Sequence, residues 1–177
     1  GGALMWLRLL GAFLVVVSCT GLGMGAAARL KERRRLLETM KRMVSHLKGE
    51  ILYANAALPA ALSRTGKRGE GVLAEFFCAV ADCLESGAGE TFAQVWSREA
   101  KRVLRRCLLS AAGREALLSF GKNLGYLDRE MQEKTIQFYL EELDLEIARL
   151  RGEEPEKSRL FFSMGILSGL FLTVILL

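Results

Sequence analysis

The chain is poor in the side chains from which catalytic sites are made. His46 is the only histidine among 177 residues, and no motif around it supplies a Ser–His or Cys–His couple. Beside Ser45 and Lys48 on a helical pattern, it is expected on the surface. Cysteines number four. Cys78 and Cys83 stand five apart, so on one helix they diverge and lack the spacing of a zinc finger. With Cys107 they are expected as reduced, buried, small apolar residues. A phosphate-binding loop needs Gly, Lys and then Ser or Thr in register, but Gly66-Lys67 leads into Arg68 and Gly121-Lys122 into Asn123. The acidic run Glu141, Glu142, Asp144 and Glu146 lies along one helix and is expected to be a solvated face rather than a cation site. Catalytic, cofactor-binding and metal-ligating residues are therefore expected to be none, and the chain to be no enzyme. Prolines are also few: only Pro59 and Pro155.

Charge is missing from two long stretches. Residues 9–28 and 160–177 hold no Lys, Arg, Asp or Glu, although the whole chain is 25% charged. Each run has about the length needed to cross a bilayer. Their flanks set the direction: Arg8 stands alone before the first run, whereas Arg29, Lys31, Arg33, Arg34 and Arg35 crowd after it. Basic residues stay on the cytoplasmic side, where they also sit favourably against anionic headgroups. The expected organisation is a short non-cytoplasmic N-terminus (1–8), a transmembrane helix (9–28), a cytoplasmic helical domain (29–159) and a second transmembrane helix (160–177). Gly21 and Gly25, one turn apart, could admit another membrane helix closely. A competing pattern is that of a bacterial lipoprotein signal ending at Cys19, which the basic cluster soon after it opposes. Met5 is a candidate natural start. The net charge of +5 is explained by this topology. Without aromatic–basic interleaving or a groove-reading motif, nucleic acid is not an expected partner.

Between the runs, apolar residues recur at helical spacing and no strand alternation is visible. Leu36, Met40, Val44, Leu47 and Ile51 form one stripe, and Ile136, Leu140, Leu143, Ile147 and Leu150 form another. These two long helices are expected to pack antiparallel. A helix from Leu58, with Pro59 in its first turn, is expected to break at Gly66. Val72–Glu85 should bury Leu73, Phe76, Phe77, Val80 and Leu84. Thr91 and Gln94 have the spacing of a capping box, ahead of a face marked by Phe92, Trp96, Val103 and Cys107. A further helix carries Leu117, Phe120 and Leu124, and Asp128 should cap the last one after the Gly125-Tyr126-Leu127 turn. The expected fold class is all-α: a bundle of about six helices flanked by N- and C-terminal transmembrane helices.

Several segments in order resemble one family. Met5-Trp6-Leu7-Arg8-Leu9-Leu10-Gly11-Ala12, Cys19-Thr20-Gly21-Leu22-Gly23 and Arg29-Leu30-Lys31-Glu32-Arg33 resemble the start of the stage III sporulation protein AB family of endospore-forming bacteria. Gly49-Glu50-Ile51-Leu52-Tyr53, Leu58-Pro59-Ala60-Ala61-Leu62, Leu124-Gly125-Tyr126-Leu127-Asp128-Arg129-Glu130-Met131-Gln132 and Met164-Gly165-Ile166-Leu167-Ser168-Gly169-Leu170 resemble its later segments. The stretch from about 64 to 112 shares only helical character. The resemblance implies a component of a secretion-like membrane complex in the mother-cell membrane around the forespore, with its central domain in the mother-cell cytoplasm. The family is similar to the inner-membrane platform proteins of type II secretion. By that likeness the expected partners are other membrane proteins of the stage III sporulation complex and a cytoplasmic sporulation ATPase, for which the chain would act as platform or adaptor. The alternative is a lipid-binding membrane hairpin or assembly scaffold without ATPase coupling.

Overall fold

A computed structural model describes the backbone of residues 2–87, 89–125 and 128–176. The side chains of 154–162, and of most positions in 1–27 and 165–177, lie outside the described residues. All regular structure among the described residues is helical: α1 (Gly2–Leu52), α2 (Leu58–Arg68), α3 (Gly71–Glu85), α4 (Phe92–Leu104), α5 (Ala111–Leu124) and α6 (Arg129–Leu176). Two compact units divide the chain, Arg33–Ile147 and the pair of segments Gly1–Glu32 and Ala148–Leu177. Among the described residues no helix is long and apolar enough to cross a membrane. Much of the expected spans 9–28 and 160–177, Cys19 included, falls outside the described side chains, as does the Tyr126-Leu127 turn.

The bundle of residues 33–147 closes around α1 and α6. Lys41 Nζ donates to Asp144 Oδ1 at 2.5 Å and Lys48 Nζ to Gln137 Oε1 at 2.8 Å, while Arg33 donates to Glu146. As the α1 number rises the α6 number falls, so the helices are antiparallel. Pairs open to solvent, such as those of Lys41 and Lys48, contribute at most about 1 kcal/mol each, so apolar burial beneath them holds the helices together. Ile136, Leu140, Leu143 and Ile147 are all buried on the α6 side.

On α1 the stripe is wider than expected. Leu36 is half-buried and Leu37 takes its place inside, joined by Met40, Met43, Val44, Leu47 and Ile51. The reason is a second neighbour. A Cβ built at Gly69, just past α2, would meet Met43 Cε at 2.9 Å, and Glu50 accepts from Arg64 Nη1 of α2 at 3.0 Å. A helix packed on two sides buries more than one stripe.

Gly66 does not end α2, which runs on to Arg68. Instead Gly66 lies where α3 crosses closest: an added Cβ would stand 2.5 Å from Cys78 Sγ and 2.9 Å from the Cys78 backbone nitrogen. Only glycine permits that approach, and close packing outweighs its poor helix propensity. The crossing leaves Cys78, like Cys83, half-buried rather than buried; only Cys107 is inside, where burial pushes its thiol pKa up. Leu84 and Phe92 are likewise only half-buried, being at helix ends.

Trp96 is the hub of the core. Its ring is fully buried and its Nε1 donates to the Leu117 carbonyl of α5 at 2.8 Å. Phe76 and Phe120 meet it edge-on at 4.8 and 5.6 Å between centroids. Phe120 in turn stacks on Tyr139 of α6 at 4.4 Å. Aromatic contact therefore runs from α3 through α4 and α5 to α6, contributing about 0.5–1.5 kcal/mol per pair beyond area burial.

Local signals hold at the helix starts. Gln94 N donates to Thr91 Oγ1 and Thr91 N to Gln94 Oε1 at 2.9 Å, completing the capping box. Asp128 Oδ1 accepts from Met131 N at 2.9 Å at the start of α6.

Candidate functional site

Of the basic residues after the first apolar run, two are engaged within the fold. Arg33 pairs with Glu146, and Arg34 with Glu38 at 3.1 Å one turn along α1. Arg29, Lys31 and Arg35 are exposed. Gly21 and Gly25 are exposed too, and a Cβ added at either would meet no atom within 4 Å. His46 is exposed, as its neighbours suggested.

The acidic run of α6 divides by direction. Asp144 and Glu146 point to α1 and take Lys41 and Arg33, whereas Glu141 and Glu142 are exposed. Among the described residues no group of three or more His, Cys, Asp or Glu could hold a metal ion. Two carboxylates missed by composition alone are buried. Glu50 pairs with Arg64 and Arg68 at 3.0 and 3.4 Å, and Glu99 with Arg98 and Arg102 at 3.4 and 3.0 Å. The Arg64 and Arg68 guanidinium groups tie Glu50 of α1 to α2, whereas both partners of Glu99 belong to α4 itself and join neighbouring turns of that helix.

Arg129 closes the far end of α1. Its Nη2 donates to the carbonyls of Ile51 and Leu52 at 2.6 and 2.7 Å, and its Nη1 donates to Asn55, a residue with φ of 55°. The last turn of α1 has no basic residue of its own. Arg129 therefore supplies from α6 the positive charge that a helix C-terminus favours.

A groove of about 330 Å³ lies between α5 and α6. Small residues Ala112, Ala116 and Ser119 line its α5 side, while Phe138 and Tyr139 of α6 and Phe120 of α5 supply aromatic surface. Glu115 and Glu142 are at its edge and make no ion pair among the described residues. Phe138 is 70% exposed. Met131 and Leu145, seven residues to either side, are exposed as well, so a row of apolar side chains runs along α6 opposite its buried stripe. These residues were legible as apolar positions out of phase with Ile136, Leu140 and Leu143; the small residues of α5 gave no such signal.

Tyr139 is buried in the wall of this groove, and burial, helped by the Glu142 charge, holds its phenol pKa well above the usual value. The unfolded chain would lose that proton near pH 10 while the fold keeps it. Stability should thus be unaffected by this group below about pH 10 and fall as pH rises beyond it. Tyr139→Phe should flatten that alkaline limb in a pH series of thermal unfolding; an unchanged limb would mean another group governs it.

The described residues thus form an all-helical bundle with buried, paired carboxylates and a groove between α5 and α6. Its sequence relationships are specific. A family model for stage III sporulation protein AB matches residues 8–177, and the chain belongs to that family. It is 29% identical over 171 residues to stage III sporulation protein AB of Bacillus subtilis (strain 168), covering 97% of this chain and 99% of the relative. A solved structure of a stage III sporulation protein AB superposes with a TM-score of 0.65 at 26% identity, covering 71% of this chain and 98% of that one.

Proposed function

We propose that this sporulation protein is a non-enzymatic, membrane-anchored platform in the mother-cell membrane around the forespore. The apolar segments 9–28 and 160–177 lie in the bilayer, and the bundle serves a partner ATPase and other membrane proteins of the stage III complex from the cytoplasmic side. The observation that carries this proposal is where large apolar side chains stand exposed. The bundle buries most of its own, leaving Tyr53, Leu108, Met131, Phe138 and Leu145 exposed, whereas in the unit made by the two ends Trp6, Leu10, Phe13, Leu14 and Val17 of α1 are 52–71% exposed, and Leu167 and Phe171 of α6 are 66% and 68% exposed. Such a surface is costly in water and ordinary in lipid. The exposed Arg29, Lys31 and Arg35 support the orientation.

The chain is expected to resist a carbonate wash of membranes from sporulating cells and to co-purify with the sporulation ATPase. Release by carbonate would sink the anchor. Co-purification with membrane partners but never with the ATPase would favour the scaffold without coupling. Changing Arg29, Lys31 and Arg35 together to Gln removes about 3 kcal/mol of headgroup attraction. A topology reporter fused after Leu177 should then shift partly to the opposite side, and no shift would show that these residues do not set orientation.

A further inference from the structure

We propose that the α5–α6 groove is a docking site for an amphipathic helix of a partner protein, one that brings apolar side chains together with a Lys or Arg. The proposal deepens the platform role and rests on it for the existence of a partner, but the face is chosen by the groove alone.

Three observations agree. Ala112, Ala116 and Ser119 follow one another by four and three residues along α5, the spacing of one helix face, and their small size lets a third helix approach. Across the groove Phe138, 70% exposed, is flanked at seven-residue intervals by Met131 and Leu145, 46% and 75% exposed. That row is as long as four turns of α6 and suits a ligand reading i, i+3, i+4 and i+7 positions. The charge completes the match. Asp144, Glu146 and Glu133 of α6 are paired with Lys41, Arg33 and Lys48 of α1. Glu142, and Glu115 across the groove from it, make no ion pair among the described residues. In a chain of net charge +5, an unpaired acidic rim around an apolar groove selects a cationic partner and steers its approach. With all regular structure among the described residues helical, no sheet edge is offered for an extended peptide, and helix against helix is the mode available.

The test uses the full chain in sporulating cells, with a benzophenone amino acid in place of Ser119 or Phe138 and, as control, of Arg105 on another part of the bundle. Both groove positions should give an adduct mapping to a Lys- or Arg-bearing helical segment of another protein, and the control should not. Glu115→Lys with Glu142→Lys, both on exposed positions, should cut the Ser119 adduct at least tenfold at unchanged thermal stability, and Lys→Glu in the partner segment should restore it. An adduct to a second copy of this chain, to lipid or to an acidic segment would overturn the proposal. So would a yield indifferent to charge reversal. Tagged chain recovered from the same cells separates the two ideas: partners that co-purify without a groove adduct overturn the docking site alone, whereas a parental chain that co-purifies with nothing overturns the platform role.

Discussion

Gly121→Ala should lower the melting temperature of the bundle by on the order of 10 °C, although alanine is the better helix former by about 1 kcal/mol. Gly121 lies buried inside α5, and a Cβ there would stand 2.0–2.3 Å from the Trp96 indole. The indole has nowhere to go. Its Nε1 is held by the Leu117 carbonyl and its faces and edges by Phe76, Phe77, Phe92 and Phe120. Overpacking usually costs about 1–3 kcal/mol, more where a neighbour cannot yield. Trp96→Leu alone should also destabilise, by loss of burial and of the hydrogen bond, yet in the Gly121→Ala background it should cost much less, because the added methyl then occupies vacated space. A double-mutant cycle by thermal unfolding measures that coupling. Simple additivity would show that α4 and α5 do not meet at this point.

Arg129→Ala should cost about 2–3 kcal/mol, since hydrogen bonds from a charged donor contribute about 1.5–3 kcal/mol. The effect should also be local: hydrogen exchange at the last turn of α1, near Ile51 and Leu52, should quicken more than in α3. At the first position of α6 a cation faces the positive end of its own helix. Its placement therefore favours α1, whose final carbonyls it caps at 2.6 and 2.7 Å, while Asp128 and Glu130 offset the local cost to α6. Arg129→Lys should recover only part of the loss, because an ammonium cannot fork across two carbonyls and a side-chain amide. Uniform exchange throughout the bundle would mean that Arg129 contributes to general stability rather than to this cap.

These two positions also mark where the sequence stops being informative. Arg129 could be quoted as part of the Asp128-Arg129-Glu130 segment, but nothing in that segment names Ile51 and Leu52 as its acceptors. Gly121 and Gly66 look alike as helix glycines, and by propensity both suggest a break. Gly66 is interior to α2 and Gly121 to α5 because each faces a neighbour from a different helix, Cys78 in one case and Trp96 in the other. Met43 and Glu50 were missed for the same reason: α2 covers a flank of α1 that a single-stripe pattern leaves to solvent.

Of the candidate surfaces, the basic residues were legible in sequence, but not that Arg33 and Arg34 are engaged by Glu146 and Glu38. The α5–α6 groove was illegible, because it depends on small residues of one helix standing beside an exposed phenylalanine of another.

By itself the sequence determined the all-helical class, the antiparallel pairing of the first and last helices, the caps at Thr91 and Asp128, and membership of the sporulation family. These follow from periodicity, from backbone donors that need a partner a few residues away, and from ordered local segments. Tertiary structure alone decided which glycines are contact points, that Glu50 of α1 is buried against two arginines of α2, and where a groove is left open. Those properties belong to pairs of helices, and the distance between two helices is set by the volume of every side chain between them, which no local pattern contains.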